Sequence, residues 1–162
     1  MCLTKRAALA LAAALLACLC AGCGNKAYRD DAQLAASMDE YAYQTCDGGP
    51  DENGVEQAFT GFSGVDRLWT ASAQQDAVLE FSYSAQAAKG RWKLVAVKPG
   101  GQVERVFERD AKDGGAPAGE ARGAIRLPKG DTAVCLAGDG ADGQIRLTVT
   151  GRDGVSLTAN FG

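Results

Sequence analysis

From Val55 onward, apolar and polar positions alternate in short runs that Gly, Asp and Lys interrupt. "AVLEFSYS" puts Leu79, Phe81 and Tyr83 on one side. "RWKLVAVK" sets Trp92, Leu94 and Ala96 opposite Val95 and Val97. "QVERVFER" places Val103, Arg105 and Phe107 in one row, and "AIRLP" carries Ile125 and Leu127. "TAVCLAG" sets Val134 and Leu136 against Cys135. "QIRLTVT" alternates Ile145, Leu147 and Val149 with Arg146, Thr148 and Thr150, and "VSLTANF" continues through Val155, Leu157, Ala159 and Phe161. Period two is the mark of strands with one face buried. "KPGG", "GDGADG" and "GRDG" between the runs are turn sequences, where glycine accepts positive φ. Eight or nine short strands at this spacing, with no helical pattern between them, predict an all-β antiparallel sandwich of immunoglobulin-like or jelly-roll type over residues 55–162. A small barrel is the second architecture the pattern allows.

The first 54 residues follow other rules. Lys5 and Arg6 precede Ala7–Ala21, an unbroken apolar run of 15 residues. As a helix it would span roughly 22 Å, short of the roughly 30 Å hydrocarbon core of a bilayer. A secretory signal over 1–22 fits this better than a permanent membrane span. In 23–54, Tyr28, Ala32, Ala35, Met38 and Ala42 recur near helical spacing, which predicts a helix near 30–43. A flexible tether is the other reading of that segment.

The apolar run ends in "CAGCGN", with Ala21 and Gly22 before Cys23. This resembles the lipobox of bacterial lipoproteins, where a branched apolar residue and two small residues precede a cysteine. The resemblance implies cleavage before Cys23 and lipid on its sulfur. It departs from the pattern at Cys20, where leucine is usual, and "LLAC" makes Cys18 a second candidate. An ordinary signal peptide with cysteines as small hydrophobes is the alternative. The region from Phe59 to Phe161 also resembles small extracellular lipoprotein domains of bacteria, through "FTGFSG" (59–64), Trp69 and "LPKG" (127–130). That resemblance carries no activity with it. Together the two place the protein outside the cytoplasm, on a cell or outer membrane. Two or more acyl chains would hold it there.

Removing Lys5 and Arg6 from 17 basic residues leaves 15 against 20 acidic ones, so the body is acidic. That argues against nucleic acid as a partner. The 162-residue chain has no histidine, which removes the commonest general base and most zinc sites. No Gly-x-Ser-x-Gly elbow is present, and "GFSGV" has the wrong spacing. No carboxylate sits in a run that would obviously raise its pKa. We therefore expect no catalysis, cofactor or metal, although "DGGPDEN" and "GDGADG" are acidic enough to raise calcium as a question. Cys46 and Cys135 are the cysteines of the folded region, and an oxidising compartment would let them bridge. Tyr41 and Tyr43, two apart, are candidate ligand contacts, since a flat ring stacks on a sugar. Trp69, Tyr83 and Trp92 read first as core. The expected role is a membrane-tethered binding or interaction module with an envelope protein or a glycan as partner. A carbohydrate- or peptidoglycan-binding module is the alternative, and a divergent hydrolase is a remote one.

Overall fold

The structure is a computed structural model describing residues 24–114 and 119–160. The expected signal peptide, Cys18, Cys23 and Phe161 lie outside the described residues. Two short helices, α1 (Gly24–Arg29) and α2 (Asp31–Ala36), come first. Eight strands follow: β1 (Glu40–Ala42), β2 (Thr45–Pro50), β3 (Gly54–Ala73), β4 (Ala77–Val97), β5 (Val103–Asp110), β6 (Ala121–Leu127), β7 (Gly130–Gly151) and β8 (Val155–Ala159). All pairings are antiparallel. The expected all-β sandwich is what the chain forms, by an unexpected route.

Three strands of 20 to 22 residues, β3, β7 and β4, lie side by side and run through both layers. Each was expected to be two shorter strands or was not resolved as one. The first half of β3, the second half of β7 and the first half of β4 make one layer, edged by β2 and β6. Their other halves make the second layer, edged by β1 and β8 beside β3 and by β5 beside β4. "GDGADG" is therefore a bend inside β7, not a hairpin turn. The register shifts at Phe59–Gly64 and Ala87–Arg91 mark the same fold line in β3 and β4. Such irregularities sharpen bending and twist.

At that line Gly90 has φ +60°, and a Cβ on it would lie 2.4 Å from the Gly140 carbonyl oxygen. At Gly138 a Cβ would enter the Phe62 ring at 2.3 Å. Side chains bind the fold line as well. The Gly61 N–H donates to Asp142 Oδ1 at 2.7 Å, and the Gly140 N–H to Ser63 Oγ at 3.0 Å. The acidic loops are thus used as turn chemistry: Asp51 Oδ1 accepts from the N–H groups of Asn53 and Gly54.

The core lies between the layers. Trp69 and Trp92 are fully buried there, as expected. Phe59 meets Trp92 edge-on at 5.6 Å, and Tyr83 of the first layer stacks on Phe107 of the second at 4.2 Å. The Trp69 indole N–H donates to the Asp51 carbonyl at 2.6 Å, so the polar edge of this buried ring is satisfied. The expected Val103–Arg105–Phe107 row is broken. Leu94 pairs with Phe107 but Val95 with Arg105, so a bulge at Val106 moves Val103 to the opposite face.

A second cluster covers the outer face of the second layer. Val65, Val95, Val97, Ala133, Cys135 and Ala137 point away from the main core and are capped by Ala27, Tyr28 and Leu34 from the helices. The expected helix over 30–43 is therefore shorter, spanning only Asp31–Ala36. Asp30 is extended and caps it, accepting from the N–H groups of Ala32 and Gln33. Asp39 then turns left-handed at φ 72°, and residues 40–42 pair with Ser63–Val65 as β1. Six-residue helices are marginal alone, so packing of Leu34 and Tyr28 holds these two. The phase also differs from the expected stripe: Leu34 is fully buried, whereas Ala32 and Ala42 are exposed.

The Cys46–Cys135 bridge is not formed, and both thiols are free. Cys135 does lie opposite Val134 and Leu136, as its alternation implied, but this buries it beneath the helices on the second layer. Cys46 is exposed on β2 at the edge of the first layer. Burial pushes the Cys135 thiol up to about 12.

Two outcomes follow from this architecture. Gly90→Ala forces a left-handed backbone on a Cβ and drives it into Gly140, so denaturant unfolding should show a loss of about 2 kcal/mol or more. Thiol alkylation with peptide mapping should modify Cys46 in the native protein and Cys135 only after denaturation. A Cys46–Cys135 linked peptide in the untreated protein that reduction separates would contradict this arrangement.

Candidate functional site

With helices over the second layer, the outer face of the first layer is the open sheet face among the described residues. Its side chains alternate with the core row. Glu56, Ala58 and Thr60 come from β3, Gln144, Arg146 and Thr148 from β7, Ser82, Ser84 and Gln86 from β4, and Asp47 from β2. Register brings them into rows across the strands. Asp47, Ala58, Gln144 and Gln86 form one row, and Glu56, Arg146 and Ser84 the next. Each strand contributes because its inward partners, Val55, Phe59, Phe81, Ala85, Ile145 and Leu147, are committed to the core.

Three shallow depressions of about 630, 880 and 360 Å³ lie on this face. The first has a low floor of Gly49, Ala58 and Ser84, walled by Glu56, Gln144 and Arg146. The second lies toward β6, with Glu80, Arg122 and Thr150 at its rim. The third reaches toward the fold line past Thr45, Gln86 and Asp142. The long side chains hold one another: the Gln144 amide donates to Gln86 Oε1 at 3.1 Å, and Arg146 pairs with Glu56. That ion pair is largely exposed, and its hydrogen bonds exchange readily with a ligand's. The face thus offers amides, hydroxyls, carboxylates and the guanidinium groups of Arg122 and Arg146 at a wide, wet surface. It suits recognition by many hydrogen bonds, and among the described residues no aromatic ring is exposed on it.

The tyrosines expected to contact a ligand lie elsewhere. Tyr41 is partly exposed on β1, and its ring meets Tyr43 edge-on at 5.4 Å. Tyr43 is a pillar instead. Its ring stacks on Phe62 at 4.5 Å and its hydroxyl donates to Asp66 Oδ2 at 2.6 Å. Gln57, almost wholly buried, donates to the Tyr43 hydroxyl and to Cys46 Sγ, each at 3.1 Å. The four side chains make a polar seam where the layers meet at the β1–β2 edge. Burial raises the Tyr43 hydroxyl well above the usual phenol range, aided by the carboxylate it bonds. Burial raises the Asp66 carboxyl too; the Tyr43 bond lowers it in part, and Asp39 nearby adds to the rise.

Sequence reasoning missed Asp66, although "VDRLW" sets Asp66 and Arg67 together between apolar residues, a pattern that marks partial burial. It also passed over the open face. The run of hydroxyls and amides at Ser82, Ser84, Gln86, Gln144 and Thr148 was a usable signal, since solvated strand faces more often carry Lys and Glu. Among the described residues no three potential metal ligands come together, and no helix is long and apolar enough to cross a membrane.

No protein-family model and no curated protein matches the chain. A solved structure to which it is similar is the N-terminal cellulose-binding domain from the Cellulomonas fimi β-1,4-glucanase C. The two are 10% identical, with 75% of this chain and 81% of that one covered at a TM-score of 0.28. A likeness at that score says nothing about what this chain binds.

The seam has a pH signature. A carboxyl raised in the folded state adds stability below its unfolded value, about 3.9, and loses that contribution as pH rises through the folded value. Asp66→Asn removes the charge but keeps an acceptor for Tyr43. Its melting temperature should rise relative to the parent protein between pH 4 and pH 7. A difference that stays flat or falls across that range would contradict the burial argument.

Proposed function

We propose that this protein is a non-catalytic binding module held by lipid on Cys23 at the outer side of a bacterial membrane, and that the open face of its first layer contacts a hydroxyl-rich polymer, a glycan of the envelope. One observation carries the reading. Of the two outer sheet faces, one is sealed by apolar packing under α1 and α2, while the other is left open with a polar, dented surface.

Glycan hydroxyls are both donors and acceptors. The Gln86 and Gln144 amides can answer both roles, Ser84 and Thr148 likewise, and Asp47, Glu56 and Arg146 add charge-assisted bonds. With no aromatic ring exposed on the face among the described residues, affinity would come from many modest hydrogen bonds along an extended ligand. Each is a net contribution of about 1 kcal/mol, so short oligosaccharides would bind weakly. The acidic body suits an uncharged polymer better than an anionic one.

Binding to insoluble cell-wall preparations and to a glycan array tests this. Gln86→Ala combined with Gln144→Ala should weaken binding at least tenfold, whereas Tyr41→Ala should leave it nearly unchanged. Absence of binding to every glycan, or loss through Tyr41→Ala alone, would contradict the proposed face.

A further inference from the structure

We infer that the segment after Cys23 is an orienting strap that seats the outer surface of the second layer, around α1, against a lipid surface. This rests on the lipid attachment proposed above. The expected tether would let the domain tumble over the membrane. The structure instead shows the segment docked within a few residues of the attachment point. Ala27 and Tyr28 are buried on the second layer, and Leu34 is fully buried beside Cys135.

Tyr28 is the clasp. Its hydroxyl donates to Glu108 of β5, and its ring is flanked by Arg91 at 4.7 Å and Lys93 at 4.8 Å, both from β4. Arg91 is fixed in turn by Asp139 of β7, at 2.9 Å. One side chain of α1 is therefore tied to three strands. Position 23 is five residues before Tyr28, and residues 24–29 are helical. With about 1.5 Å per helical residue and about 3.8 Å for one further step, covalent reach alone limits the distance from the Tyr28 backbone to the attachment position to roughly 10 Å. Acyl chains on that sulfur would bring this surface to the headgroups.

The charges of the surface agree with a lipid occupant held by acyl chains rather than by electrostatic attraction. Arg105 pairs with Glu108 and Arg91 with Asp139, and Lys93 is buried against the Tyr28 ring, so the clasp exposes no cluster of unmatched cations. The consequence is directional. The two outer faces of a sandwich point opposite ways, so seating the second layer on the membrane turns the open face of the first layer outward, toward a polymer.

The test uses the full chain, recovered from membranes of the producing cells and placed in phosphatidylcholine vesicles containing a headgroup-nitroxide lipid. In a Cys46→Ser background, a fluorophore is attached at Arg105→Cys or at Ser82→Cys. Quenching at 105 should exceed quenching at 82 at least threefold. A Gly-Ser insert of about twenty residues between 23 and 24 should erase the difference, and so should Tyr28→Ala. Equal quenching with the native segment, or stronger quenching at 82, would overturn the orientation. Flotation reads the lipid attachment separately. If the chain does not float with vesicles, that reading fails. Coupling Cys23 to a maleimide lipid, with the other leader cysteines changed to serine, then applies the same quenching comparison to the strap alone.

Discussion

The structure depends on continuous hydrogen bonding through a fold line. β3, β7 and β4 do not stop at the end of one layer; they bend and continue as the next. The bend has to be tight where Gly90 faces the Gly140 carbonyl, and the Phe62 ring fills the space that a side chain on Gly138 would take. Asp142 and Ser63 then supply acceptors for backbone groups that the bulges leave out of the ladder. The aromatic core follows from this line. Phe59, Trp92, Phe107 and Tyr83 meet because the two halves of the same strands are folded face to face.

The same fold line divides the outer faces unequally. The second layer carries apolar residues on both sides: Trp92, Leu94 and Ala96 inward, Val95 and Val97 outward. Its outer row needs a cover, and α1 and α2 provide it. The first layer carries serine, threonine and glutamine outward and needs none. Sealed and open faces are therefore consequences of one substitution pattern along β4 and β7. Anchoring near the sealed face and recognition at the open one would divide the two roles between opposite sides of a body two strands thick.

The inward rows were legible in the sequence because period two survives in each half-strand. Leu79 and Phe81, Trp92 and Leu94, Ile145 and Leu147 all point where alternation put them. What was not legible was continuity. A glycine-rich "GDGADG" is a turn by local chemistry, and only long-range pairing with residues 59–64 of β3 and 87–92 of β4 makes it a bend within a strand. The break at Asp30 was also hidden, since capping resets the helical phase and makes Leu34, rather than Ala32, the buried residue. The bulge at Val106 inverted one edge row for a similar reason: one extra residue changes the face of everything beyond it. Tyr43 was misread for want of a partner, because Phe62 and Asp66 are about twenty residues away in sequence and touch it only across the β1–β3 pairing.

If the two layers are halves of one bent sheet, they should open together. Native-state amide hydrogen exchange along β7 tests this most directly. The account predicts that the slow amides of residues 132–137 and of 145–149 exchange through a single opening, with the same free energy and the same denaturant dependence. Two separate openings, one for each half of β7, would contradict it.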